Sequence, residues 1–174
     1  AKFGVFIHWG AYSVPASNTE WYPREMYTDN NVRSWHTAAF GSSFGYKDFL
    51  PSFTADKYNP ADWADLFKRS GVKYIVPVAE HHDGFAMYDS QETRWNATNI
   101  GPKKDLITPL AEEIKKAGLK FGVSNHFWEN NWFYGKREGS DVLNTIYYDL
   151  YNTPYPGEDK PLYSNTENKP NNIH

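Results

Sequence analysis

Short apolar runs recur along the chain, and each is stopped by polar or turn-forming residues. Residues 3–9, FGVFIHW, are continuously apolar and aromatic, which predicts a buried strand. VKYIVPVAE (72–80) and LKFGVSNH (119–126) predict two more. Pro77 cannot donate to a sheet ladder, so it predicts a bulge or strained point in the second.

Two stretches carry a helical period instead. In NPADWADLFKRSG (59–71), Trp63 and Phe67 share a face with Ala64 and Leu66. Asn59 is placed to cap this helix, Pro60 suits its first position, and Gly71 suits its end. DLITPLAEEIKKAG (105–118) repeats the grammar. Asp105 or Thr108 caps it, Leu106, Leu110 and Ile114 share a face, and Gly118 stops it. SGVKYIVPV aligns with AGLKFGVSN as one helix-to-strand joint used twice. A helix–Gly–strand repeat predicts βα units and a parallel sheet, an α/β fold. Residues 10–57 show no sustained period and read as a long, partly ordered excursion.

The 174 residues suit one domain or at most two. Net charge is −3, so no basic footprint points to nucleic acid or to a membrane surface. No apolar run reaches bilayer-spanning length. The lack of cysteine removes disulfides, thiolate metal sites and a cysteine nucleophile, and leaves the compartment open. Aromatic residues make up 18%, with seven Trp and 13 Tyr. That surplus has two readings: large side chains filling a core, or flat faces on which sugar rings stack.

Each predicted strand ends in polar chemistry on its C-terminal side. The first ends at His8, the second at Glu80, His81 and His82, the third at Asn125 and His126. In α/β folds that edge collects ligand-binding groups. Imidazoles there suit a metal, a sugar or a structural corner. Adjacent histidines on an extended backbone point to opposite sides, so His81 and His82 are poor joint ligands. The chain lacks HExxH, and no strand carries an x-His-x-His pair. Glycoside hydrolysis needs two carboxyls across a sugar, and the candidates are Glu20, Glu80, Asp83, Asp105 and Glu129. Asp105 suits a cap and Asp83, before Gly84, a turn. A pyranose site needs hydrogen-bonding groups and an apolar wall, and FIHWG, EWYP and EHHDGF supply histidine, glutamate and tryptophan. GPKKDL lacks the glycine spacing of a phosphate-binding loop.

KFGVFIHWGAYSVPA, EWYP, EHHDGFAMYDS and TRWNATNIGPKKDLITPLAEEIKKAGLKFGV, in this order, resemble glycoside hydrolase family 29, the retaining α-L-fucosidases. The resemblance runs from residue 2 to about residue 135. It implies a (β/α)8-like (TIM) barrel, of which this chain holds the first three or so βα units. It implies hydrolysis of terminal α-L-fucose from glycans, without metal or other cofactor. By motif, the fucose hydroxyls fall to His8, Glu20, Trp21, His81 and His82. One family pattern has a tyrosine where this chain has Ser124, which makes His126 or Glu129 the expected replacement.

The family nucleophile is an aspartate ending a fourth strand after a long apolar stretch. SDVLNTIYYDL is the nearest match, and its Asp149 reads as part of a helix or insertion. Both catalytic carboxylates are therefore expected beyond His174. Residues 1–174 read as the N-terminal portion of a barrel domain, cut at both ends and inactive alone. The resemblance favours a secreted, periplasmic or lysosomal protein, where the sequon Asn96-Ala97-Thr98 would matter. Two alternatives stay open: a metal-dependent barrel hydrolase using His8, His81 and His82, and a non-catalytic sugar-binding module.

Overall fold

The computed structural model describes residues 3–127, 130–134 and 140–151. In chain order the elements are β1 (Val5–Ile7), α1 (Tyr22–Thr28), α2 (Asn30–Phe40), α3 (Pro60–Arg69), β2 (Tyr74–Glu80), α4 (Thr108–Lys116), β3 (Lys120–Phe121), β4 (Ser124–Asn125), α5 (Asn130–Tyr134) and α6 (Tyr148–Tyr151). Short 3-10 turns join several of them. The architecture is mixed α/β around a small parallel sheet.

β2 is central. Val5 lies opposite Ile75 and Ile7 opposite Pro77, while Tyr74 lies opposite Lys120. The third predicted strand forms in two pieces, interrupted at Gly122 and Val123 opposite Val76 and Pro77; β4 rejoins β2 at Val78 in the same register, which then shifts between Val78 and Glu80. The interruption lies opposite Pro77, which cannot donate to the ladder, while on the β1 side Pro77 stays in register with Ile7.

One sheet face is covered by α3 and α4. Val5, Ile7, Ile75 and Phe121 pack against Trp63, Ala64, Phe67, Leu110 and Ile114. Both helices start as their sequences predict. Asn59 Oδ1 accepts from the N–H of Ala61 at 3.0 Å and of Asp62 at 3.4 Å. Asp105 Oδ1 accepts from the N–H of Ile107 and Thr108 at 2.7 and 2.8 Å. Gly71 and Gly118 follow the helices at φ +79°, a region that side-chain-bearing residues avoid. Two apolar assignments need correcting. Leu66 is 50% exposed, and Leu106 lies ahead of α4 and packs in a different core.

On the opposite face of β1, Phe6 is 54% exposed. The second core lies beside the sheet and is shared about equally between the excursion and residues after β2. Tyr22, Met26, Tyr46, Phe49 and Leu50 meet Phe85, Phe133, Tyr134, Leu150 and Tyr151 there. The excursion is more ordered than its sequence suggested. α2 escaped notice because His36 is its only buried residue, so it has no apolar stripe to read. Asp29 starts it, accepting from the N–H of Asn31 and Val32 at 2.8 and 3.0 Å.

The tyrosine surplus goes into this core. Three of its buried rings find strong partners for their hydroxyls: Tyr46 donates to Asp83 Oδ2 at 2.6 Å, Tyr134 to the Asp83 carbonyl at 2.7 Å and Tyr151 to Asp141 Oδ2 at 2.6 Å. Asp149 lies in α6 and pairs with Arg94 at 2.8 Å, in keeping with its reading as part of a helix. The sequon residue Asn96 is fully buried. Its amide donates to the carbonyls of Ser90 and Thr93, and its oxygen accepts from Thr98 and Asn99. Among the described residues no helix is long and apolar enough to cross a membrane.

Candidate functional site

Parallel strands send their C-terminal ends to one edge, and the sequence puts imidazoles at that edge. His8 follows β1, His81 and His82 follow β2, and His126 follows β4. The four rings gather. Centroids of His81 lie 4.8 Å from His82, 5.0 Å from His126 and 5.5 Å from His8. His126 lies 5.2 Å from His82 and 5.5 Å from His8. The backbone N–H of His126 donates to the Glu80 carbonyl at 2.8 Å, which extends the β2–β4 ladder and draws the third tip toward the second.

Each ring sits in a distinct setting. His8 is exposed, with Phe6 beneath it at 4.6 Å. His81 is only 2% exposed. Burial, with His82, His126 and His8 around it, pulls its pKa down to about 3, so it is neutral across the physiological range. Its Nδ1 is buried with no hydrogen-bond partner among the described residues. His126 holds Ser124 Oγ at 2.7 Å through Nε2. Ser124, expected as the place of a lost contact, thus orients the imidazole expected to replace it. His82 stacks on Phe133 at 5.2 Å and meets Trp21 edge-on at 5.7 Å.

Glu20 and Trp21 arrive from the excursion. Thr19 Oγ1 accepts from the Trp21 N–H at 3.1 Å and turns the chain into α1. Arg24 Nη1 then donates to the carbonyls of Trp132 and Phe133, both at 2.7 Å, and fastens α1 to α5. This places Trp21 beside His82. Glu20 faces the cluster electrostatically: burial and then His8 lower the pKa of His126, while the Glu20 charge opposes them.

Three groups at this edge were not singled out by their sequence. Tyr12 is 5% exposed, lies 5.1 Å from His81, and has no partner for its buried hydroxyl among the described residues. Burial, then Asp83 and Glu20, push its pKa far up, so it stays a hydroxyl donor. Phe133 supplies the apolar wall behind His82. Glu80, one of several carboxyls weighed, is buried. Burial and then Asp83 raise its pKa to about 7, against a single long hydrogen bond from Asn125 at 3.4 Å. Only its place before His81-His82 hinted at this. Trp9, the tryptophan of FIHWG, packs on Phe53, Tyr58 and Trp63, away from the imidazoles. A cleft of about 550 Å³ opens next to it, apart from the imidazoles.

The other candidate carboxyls are spoken for. Asp83 is fully buried and holds Tyr46 and the N–H of Phe85, as its turn reading required. Asp105 caps α4. Glu129 lies outside the described residues.

The alpha-L-fucosidase family model matches residues 1–167. The chain belongs to the alpha-L-fucosidase family. Plasma alpha-L-fucosidase of Homo sapiens is 40% identical over 147 residues, which is 77% of this chain and 29% of the relative. Tissue alpha-L-fucosidase of Bos taurus is 39% identical over 137 residues, again 77% of this chain and 29% of the relative. Among solved structures, the Thermotoga maritima alpha-fucosidase in complex with fucose is 34% identical, with a TM-score of 0.73. That likeness covers 88% of this chain and 43% of the other. The chain therefore spans about three tenths of the length of the curated fucosidases it matches.

Proposed function

We propose that this chain is the N-terminal portion, residues 1–174, of the (β/α)8-like barrel of a retaining α-L-fucosidase. It contributes the first three βα units and the half of the site that holds the sugar. Its substrate is a glycan ending in α-L-fucose. His8, Glu20, Trp21, His81, His82 and His126 bind the fucose, and Tyr12 joins them as a hydroxyl donor. No metal or cofactor takes part, and neither nucleic acid nor a membrane is a partner.

The single observation that carries this reading is the gathering of four imidazoles at three parallel strand tips. A sugar hydroxyl both donates and accepts, and so does a neutral imidazole. Trp21 and Phe133 add apolar surface beside His82, suited to the C6 methyl group of this 6-deoxy sugar. The exposed inner face at Phe6 supports the barrel, whose interior is a packed layer of such side chains. Family membership supports the chemistry. A retaining mechanism needs a nucleophile and an acid/base. Both are assigned to carboxylates beyond His174, and Glu20 is kept for binding.

Calorimetric titration of L-fucose into the protein tests this. Saturable binding is expected, weaker for L-galactose, whose extra hydroxyl meets the apolar wall, and weakened in His82→Ala. A folded protein indifferent to L-fucose overturns the reading. Hydrolysis of an aryl α-L-fucoside by residues 1–174 alone would overturn the placement of the carboxylates.

A further inference from the structure

We propose that His8, His81 and His126 also form a divalent transition-metal site, one that a metal such as zinc occupies in competition with the sugar. The competition rests on reading this rim as the fucose site; the metal site does not. One nitrogen from each of the three rings lies within 4.8 Å of the others. Tetrahedral zinc, with nitrogens ~2.0–2.1 Å away, sets them roughly 3.3 Å apart, so the rings must close by about 1.5 Å at most. The fold makes that closure small. His81 is buried and fixed, the ring plane of His126 is set by Ser124, and His8 is exposed and free to turn. Three imidazoles with an open fourth position are a donor set that zinc, copper and nickel favour.

A second observation points to a ligand. Elsewhere in this molecule a buried histidine has both nitrogens bonded: Nδ1 of His36 meets the Tyr22 hydroxyl at 2.6 Å and Nε2 meets the Phe44 carbonyl at 2.7 Å. His81 is as deeply buried, yet no group among the described residues meets its Nδ1. The described residues themselves leave one ring nitrogen of His81 unused. His82 stays outside the triad: its ring lies 4.8 Å from that of His81, but its nitrogens do not share the common reach of the other three. The four rings therefore divide into three that can share an ion and one that serves only the sugar.

The test is calorimetric titration of zinc chloride into the protein, with and without saturating L-fucose. One zinc per chain is expected. His8→Ala, an exposed position whose loss spares the fold, should weaken zinc by at least about tenfold, since losing even a ligand's hydrogen-bond partner costs that much. His82→Ala should keep zinc while losing fucose. Zinc binding that is absent, or equal in wild type and His8→Ala, overturns the inference. If fucose still binds in that case and is lost in His82→Ala, the fucose reading stands alone. If zinc binds and depends on His8 while fucose has no effect on it, the metal site stands and the sugar is not held here.

Discussion

Among the described residues two regions bury a histidine, and they are built in opposite ways. His36, on α2, is enclosed by Tyr22, Phe40, Phe44 and Phe49, and both its nitrogens are bonded. The Phe44 carbonyl only accepts, so Nε2 carries the hydrogen and Nδ1 accepts from the Tyr22 hydroxyl. Nothing is left over for a ligand. His81 is buried to the same degree, but its neighbours are His8, His82, His126 and Tyr12. Those neighbours crowd it without satisfying Nδ1, and Glu80 and Tyr12 are likewise poorly served. A satisfied buried imidazole is part of the framework. An unsatisfied one, among others like it, is a receptor waiting for a polar partner.

The difference can be broken most directly at His36. His36→Ala should lose about 3 kcal/mol of stability in urea unfolding, from a cavity and two stranded partners. Fucose affinity per folded molecule should not move. A variant of normal stability with impaired binding would erase the distinction. His81→Ala should do the reverse. Fucose binding should weaken by about 1–3 kcal/mol, while stability should fall by less than in His36→Ala, because the cavity strands no hydrogen-bond partner.

Acidity offers a third handle. Glu80 holds its proton up to about 7 in the folded chain, against 4.5 ordinarily, and Asp83 to about 6 against 3.8. Between those values the folded chain binds more protons, so both groups make stability fall as pH rises. His81 acts in the other sense. Its pKa falls from 6.5 to about 3, so the unfolded chain takes the proton first and stability falls as pH drops below 6.5. Glu80→Gln should therefore make the fall between pH 4.5 and 7 shallower, by up to ~1.4 kcal/mol per pH unit in a series of urea titrations. An unchanged slope would mean that Glu80 ionises normally. The smallest effect belongs to Tyr22→Phe, which removes one hydrogen bond to His36. It should cost about 1 kcal/mol in the same assay and leave the rim untouched.

Much of this was readable without coordinates. Asn59, Asp105, Gly71 and Gly118 act within a few residues of themselves, so their caps and stops follow from local rules. The repeated helix–Gly–strand joint fixed the parallel order, and the parallel order put His8, His81, His82 and His126 on one edge. The failures have a common cause. α2 has no apolar stripe, Leu106 points to a core its own helix does not share, and the tryptophan of FIHWG packs away from the imidazoles. In each case the partner lies far off in the chain, where no local period records it.

Sequence alone therefore determined which residue types stand at the strand tips, which helices cover the sheet, and the family to which these phrases belong. Only the tertiary structure decided which histidine is framework and which is receptor. His36 and His81 are the same residue with the same intrinsic chemistry. They differ in what the fold brings within hydrogen-bonding reach, and those groups come from α1, from the turn after α2, and from the ends of other strands.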